Sequence, residues 1–299
     1  MATMTVGQFR LLAEPGLSNI WFDPFDGAPS EFDRIFNIRD HQKLTETDAK
    51  MSGFGPLQTQ DENAPLVYDE AIPPVTRDYD FTIRALGYKI TEKLRDWELY
   101  SQIMKLEASL RESAEFDVET FIFALLNNAN DTTVSTGFDG LALASTAHTR
   151  LDGGATQANH PTAFGGLSVG NLQTGVTQFN QWVNDRGRPI VARPVTLVVN
   201  PALELTAREI LESQMKPDTA NNTTNVLTRF GLNLHVSRYI TSDTFWALVG
   251  DKHDMNLLWA KRPEAGSTVD FETEEIKRKV RQGYSRGHGE WVGFFLGQT

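Results

Sequence analysis

The longest hydrophobic pattern in the chain lies between residues 88 and 136, a stretch that contains neither glycine nor proline. Its apolar residues recur every three or four positions, which places them on one face of a helix. Residues 92–127 are therefore predicted to form one long helix or two nearly collinear helices, roughly 50 Å in length. The residues of this face are Leu99, Ile103, Leu106, Leu110, Ala114, Val118, Phe121 and Leu125.

A second pattern alternates between polar and apolar residues. Tyr79, Phe81 and Ile83 are separated by polar residues, as expected for a strand with one solvated face. With a partner strand at about residues 35–44, this strand would form a long two-stranded projection whose tip contains Phe54. An isolated hairpin is marginally stable in water, so the projection is expected to lie against a neighbouring surface.

The second half of the chain mixes helical and strand patterns without a regular βαβ rhythm, which favours the α+β class. A helix is predicted from residue 169, capped by Ser168. The other predicted elements are a buried strand at 195–199, a helix at 202–212, strands at 232–236 and 245–249, and a β-rich tail at 268–296.

The first 35 residues combine large apolar side chains with helix-breaking prolines and glycines. Such a segment forms no long regular element, yet it is too hydrophobic to remain disordered in water. Two interpretations stay open: an arm that packs on another subunit, or an irregular N-terminus that packs on its own domain. In the first, Trp21, Phe22 and Phe25 are the expected contact residues.

Composition excludes several classes of protein. The chain has no cysteine, so disulfides, thiolate metal sites and a cysteine nucleophile are excluded. The net charge of −11 argues against tight nucleic-acid binding, and the basic residues at 277–281 are predicted to form the polar face of a strand. No membrane-spanning or secretion segment is recognisable, so a soluble protein made in the cytoplasm is expected.

Two candidate sites are weak. Ser168 fits a G-x-S-x-G pattern, but no buried strand precedes it, so a helix cap is the preferred interpretation over a serine hydrolase. His148, Asp139, Asp152 and His160 match no metal-ligand spacing and are interpreted as residues of a polar surface loop. No catalytic residue, metal or cofactor is predicted.

Five blocks of sequence carry a resemblance to a known family. In this order, they resemble the major capsid proteins of tailed bacteriophages with the Hong Kong 97 type fold, and among them the Mu-type major head subunits. The chain departs from many relatives at Asn200, where they have proline. The blocks are residues 121–129, 138–148, 194–211, 244–251 and 289–293.

The resemblance implies an α+β architecture with four parts. They are an N-terminal arm at 1–35, an extended β-hairpin loop at 36–86, a peripheral domain with a long spine helix at 87–165 and 263–299, and an axial domain at 166–262. Some relatives cross-link a lysine of the loop to a neighbouring subunit. Here Lys43 and Lys50 are the only lysines of the loop, and no motif around an acceptor asparagine accompanies them.

The function that the resemblance implies is that of a non-enzymatic major capsid protein. It would self-assemble into hexamers and pentamers of an icosahedral virion shell, in the host cytoplasm, with a separate scaffolding protein and a portal. The shell would enclose double-stranded DNA without binding it specifically, and no membrane is involved. The alternative within the fold is an encapsulin-like nanocompartment. The predicted inter-subunit contacts are Trp21, Phe22, Phe25, Phe54, Tyr79 and Phe81.

Overall fold

The computed structural model describes most of the chain after residue 29. The predicted arm contacts Trp21, Phe22 and Phe25 lie outside the described residues. The described residues are 30–41, 43, 45–63, 65–96, 102–162, 165–215 and 224–297.

The long helical pattern gives α1 (Glu92–Asp96) and α2 (Gln102–Asn127). Residues 97–101 lie outside the described residues, so the choice between one helix and two remains a prediction. Within the described residues, four members of the predicted apolar face of α2 (Leu110, Ala114, Val118 and Leu125) are buried, and Leu106 and Phe121 are partly buried. The helix packs on the C-terminal strand β9 (Ile276–His288), with the ring centroids of Phe121 and Tyr284 4.8 Å apart. Two shorter helices follow, α3 (Val169–Phe179) and α4 (Glu204–Glu212).

The strands form two four-stranded sheets and one ribbon. The first sheet has the order β1-β8-β9-β4, the second has the order β10-β7-β5-β6, and the ribbon pairs β2 with β3. The remaining strands are β1 (Asn37–Asp40), β2 (Thr45–Ser52), β3 (Ile72–Asp80), β4 (Thr82–Ile90), β5 (Pro194–Val199), β6 (Asn233–Val236), β7 (Trp246–Gly250), β8 (Met255–Val269) and β10 (Phe294–Leu296).

The second sheet lies between two apolar cores. Along β7, Ala247 and Val249 face a core that includes α2, whereas Trp246 and Leu248 face a core that includes α3 and α4. Side chains of successive strand residues point to opposite faces, so a sheet covered on both faces needs apolar residues at every position. This explains why β5 and β7 read as continuous apolar runs.

The predicted pairing of the hairpin is wrong. The partner of β3 is β2, and the segment expected to pair with it contains β1, which pairs in parallel with β8. The alternating run also divides at Phe81, because β3 belongs to the ribbon and β4 pairs with β9. Alternation identifies a strand but does not say where the chain crosses from one sheet to another.

Strand β8 was not predicted at its full length. Proline and glycine usually interrupt a strand, and β8 contains Pro263 and Gly266. Its pairing with β9 nevertheless continues past them, with register shifts between Trp259 and Glu264. The strand also crosses the expected domain boundary at 262/263, and β10 shares a sheet with β7. The division into domains remains a prediction.

Candidate inter-subunit surfaces

The predicted contacts of the loop differ in exposure. Phe54 is 62% exposed, while Phe81 is half-buried and stacks on His41 at 5.4 Å between ring centroids. Tyr79 is only 1% exposed, and the Arg77 guanidinium lies over its ring. Its burial raises the pKa of the Tyr79 hydroxyl to about 12. Tyr79 therefore has almost no surface to offer a neighbour, because its face of β3 points into its own subunit.

The loop tip, residues 53–71 between β2 and β3, has an irregular backbone at its described residues, 53–63 and 65–71. Within and beside it lie six exposed large apolar side chains in a short stretch of sequence. Exposed apolar clusters of this kind mark interaction surfaces. They are Met51, Phe54, Leu57, Leu66, Val67 and Tyr68.

A tight turn at residues 184–188, which we name the clamp turn, contacts the loop tip. Arg186 donates from Nε to the carbonyl oxygen of Gly53 at 2.8 Å and from Nη2 to that of Glu70 at 2.6 Å. Arg188 Nη2 donates to the carbonyl oxygen of Gly55 at 2.6 Å. All three acceptors are main-chain atoms, and Arg186 Nη1 also lies 3.5 Å from Asp69 Oδ1, so the clamp turn binds mainly the backbone of the loop tip.

A second contact lies at the end of β2. Lys50 Nζ is 2.7 Å from Asp185 Oδ2 and 2.5 Å from Glu290 Oε2. Burial opposes the charge of Lys50, but the two carboxylates outweigh it and raise the pKa of its ammonium. Burial, together with the nearby acids Asp185 and Asp139, raises the pKa of Glu290 despite Lys50. The lysine is thus engaged inside its own subunit.

The histidine group does not assemble as a site. His148 Nδ1 is 2.6 Å from Asp139 Oδ2, and its Nε2 is 3.0 Å from Asn159 Oδ1. His148 is buried, so interpreting it as a surface residue was wrong, and it stacks on Trp291. His160 faces the carbonyl oxygen of Leu296, and Asp152 pairs with Arg150. Among the described residues, no group of three potential metal ligands comes together.

Ser168 caps α3, as predicted. Its Oγ accepts a hydrogen bond from the backbone N–H of Asn171 at 3.2 Å, and its backbone is extended. The preceding residues 165–167 are not in a strand. The structure thus provides the cap without the strand that a nucleophile elbow needs.

A buried acid on α2 was not predicted. Glu119 is 4% exposed, and its Oε1 accepts the N–H of Glu31 at 2.7 Å. Burial is the main reason that the pKa of its carboxyl rises to about 7. Glu31 in turn lies 3.6 Å from His235. The only sequence signal was an acid within the apolar run that includes Val118 and Ile122.

Within the described ranges, no helix is long and apolar enough to cross a membrane.

Comparison with known proteins identifies the family. A sequence model described as "Phage capsid protein" matches residues 74–296. No curated protein sequence matches the chain.

Many solved capsid structures are similar in fold. The capsid of Myoviridae phage XM1 superposes with a TM-score of 0.59 at 11% identity, covering 97% of this chain and 97% of that one. The mature capsid of bacteriophage PhiM1 gives 0.62 at 11% identity, covering 94% and 91%. The capsid of an empty GTA particle gives 0.56 at 10% identity, covering 99% and 98%.

These matches confirm the α+β, Hong Kong 97 type capsid fold, and they do not favour the encapsulin-like alternative. The narrower Mu-type resemblance stays a prediction. Similarity to assembled shells supports self-association into capsid oligomers of a virion. This chain therefore belongs to the phage capsid protein family, as a major capsid structural protein.

Proposed function

We propose that this capsid protein builds the hexamers and pentamers of an icosahedral shell around double-stranded DNA, and that the loop tip carries contacts between subunits. The observation that supports it is the cluster of exposed apolar side chains at the tip, centred on Phe54 and Leu57. Burial of apolar surface stabilises a contact by about 25 cal/mol for each Å² removed from water. Many copies of one weak contact therefore add up to a stable shell.

The proposal assigns no enzymatic role to the chain, and it makes the enclosed DNA a cargo without a specific binding site. The acidic net charge of −11 opposes phosphate binding. Two of the five lysines and arginines on β9 are also paired within the subunit, Lys277 with Asp270 and Arg278 with Glu107. Charges that are already paired contribute little to counterion release on DNA.

Three further parts of the proposal concern the route of assembly. The arm, with Trp21, Phe22 and Phe25, packs on neighbouring subunits; a separate scaffolding protein and a portal take part; and assembly occurs in the host cytoplasm. Each rests on the family resemblance. Closed shells of uniform size formed by the purified subunit alone would contradict the need for a scaffold.

The experiment is a comparison of two exposed apolar residues. Phe54→Ser removes an apolar side chain from the tip, and Leu205→Ser removes one from α4, where the side chain is also exposed. We expect both variants to fold, but only Phe54→Ser to lose closed particles by light scattering and electron microscopy. Normal particles from Phe54→Ser, or equal loss in both variants, would overturn the role of the tip.

A further inference from the structure

The loop tip is held by polar contacts while its apolar side chains remain in solvent. The three clamp-turn hydrogen bonds go to the carbonyl oxygens of Gly53, Gly55 and Glu70. A single guanidinium, that of Arg186, bridges the two sides of the loop tip. Phe54, between two of the bound carbonyls, stays exposed. These contacts thus fix the position of the tip without burying its apolar surface.

The clamp turn is built independently of the loop. Asn184 Oδ1 accepts the backbone N–H groups of Arg186 at 3.0 Å and Arg188 at 2.9 Å. Gly187 has a φ of 73°, a conformation that glycine adopts without strain. Val183 and Pro189 close the turn with a β-bridge. Since none of these contacts uses the loop, the backbone that carries both arginines does not depend on the loop.

Lys50, at the end of β2, is a second point at which the loop is attached to the clamp turn. Asp185, one of its two carboxylate partners, belongs to the clamp turn, and the other, Glu290, lies near the C-terminus. Asp185 is itself held, because its Oδ1 accepts the N–H of Leu151. One short turn therefore contacts the loop at the end of β2 and on both sides of its tip.

We propose that the clamp turn, together with Glu290, is an intramolecular latch that holds the extended loop against its own subunit and must open before the loop can leave that position and extend across a neighbour. Each contact is a single hydrogen bond or ion pair of modest net strength, so the latch is reversible. The apolar tip gains burial only on a neighbour. The latch therefore restrains assembly until neighbouring subunits offer that surface.

This inference rests on the proposed role of the loop tip, but loop release is measured on the unassembled subunit. Arg186→Gln removes both bridging hydrogen bonds and the ion pair with Asp69, and Arg208→Gln is a matched control whose arginine pairs, among the described residues, along α4 with Glu204 and Glu212. Arg186→Lys keeps the charge but loses the fork that reaches two carbonyls. It serves as the milder variant should the glutamine variant fold poorly.

The expected result in the free subunit is graded. Hydrogen exchange at Gly55, whose N–H donates to Asp69 Oδ2 at 2.6 Å, and in the adjoining strands β2 and β3 should accelerate roughly tenfold in Arg186→Gln and less in Arg186→Lys, with no change in Arg208→Gln. Exchange in β5 should be unchanged in all three. Arg186→Gln should also assemble at a lower subunit concentration than the unsubstituted protein.

Unchanged tip exchange in both Arg186 variants would overturn the latch. Faster exchange with slower assembly would overturn the restraint, because the clamp turn would then be positioning the loop for assembly. If Phe54→Ser shows that the tip makes no contact between subunits, the exchange result still reports on the latch itself, so the two failures are distinguishable.

Discussion

The sheet formed by β5, β6, β7 and β10 and the ribbon formed by β2 and β3 are stabilised in opposite ways. Every residue of β7 is buried, and both faces of its sheet contact apolar cores. The ribbon is mostly exposed, and its tip is attached to the body by hydrogen bonds and ion pairs from the clamp turn. Apolar burial contributes most of the stability but does not depend on the orientation of the groups, whereas the polar contacts depend on orientation and contribute little stability.

The difference suits the two tasks of a capsid subunit. A core stabilised by burial on both faces keeps its shape under changes of salt and neighbours. A loop held by a few partly exposed charges is sensitive to salt and to neighbouring subunits, because salt screens such contacts and a neighbour can replace their partners. The following predictions test whether a substitution in one region leaves the stability of the other unchanged. They are given in order of decreasing expected change in free energy.

The largest expected contrast comes from the same substitution in each region. Phe123→Ala, at a fully buried position of α2, should lower the free energy of unfolding by about 3–5 kcal/mol. Phe54→Ala should change it by less than about 0.5 kcal/mol, because that side chain is exposed. Urea denaturation of the unassembled subunits measures both. A large loss in Phe54→Ala would show that the tip belongs to the core.

Lys50→Met should loosen the loop. It leaves Asp185 and Glu290 without their shared cation, so local opening of the ribbon should become easier by about 2 kcal/mol. Hydrogen exchange at β2 and β3 should accelerate, while exchange at β7 stays constant. Lys252→Met is the control, because Lys252 lines the same cavity while the ion pairs of Asp185 and Glu290 are with Lys50. If hydrogen exchange accelerated equally in β2, β3 and β7, the ribbon and the sheet would not be stabilised independently.

Glu119 gives the core a pH dependence of its own. Its pKa in the folded protein is about 7, above the ordinary value, so the folded state holds this proton more tightly than the unfolded state. Stability from this group is therefore greatest at low pH and is lost as the pH rises through the range up to about 7. The charged and titratable groups near it are Glu31, Asp33 and Tyr239, and Glu31 in turn pairs with His235.

Glu119→Gln removes that charge while keeping an acceptor for the N–H of Glu31. It should raise the free energy of unfolding by about 1–2 kcal/mol near pH 8 and hardly change it near pH 4.5. Denaturation at both values tests the sign. A variant that is less stable near pH 8 would show that the ionised carboxylate stabilises the fold.

The smallest effect is expected at the α3 cap. Ser168→Ala removes the acceptor for the N–H of Asn171 and should cost about 1 kcal/mol. Ser168→Asn, which restores a capping side chain, should recover most of it. Since α3 packs on the sheet, the loss should appear in global unfolding, with exchange at the loop tip unchanged.

The same contrast explains what sequence could predict. The face of α2, the cap of α3 and the run of β5 follow from periodicity and local capping chemistry, and all three are present. The pairing of β2 with β3 and the full length of β8 depend on contacts between distant segments, which periodicity does not encode.

The contacts of the loop were beyond prediction for a physical reason. Apart from the Arg186–Asp69 ion pair, Arg186 and Arg188 bind main-chain carbonyls of the loop tip, which every residue type possesses. No residue pattern in the loop reveals such a partner. His148 was misread for a related reason, since its burial depends on Asp139 and Trp291 meeting it in space.

Backbone recognition by the clamp turn also has a practical consequence for engineering. Residues 58–63 form a polar, exposed bend between Leu57 and Leu66, beyond the three bound carbonyls. A foreign peptide inserted there leaves Gly53, Gly55 and Glu70 in place. Doubling the length of a flexible loop costs only about 0.6 kcal/mol in closure entropy. In the unassembled subunit, a peptide inserted at the bend would thus leave the clamp-turn contacts intact, whereas in a shell it would lie beside the proposed contacts of the loop tip.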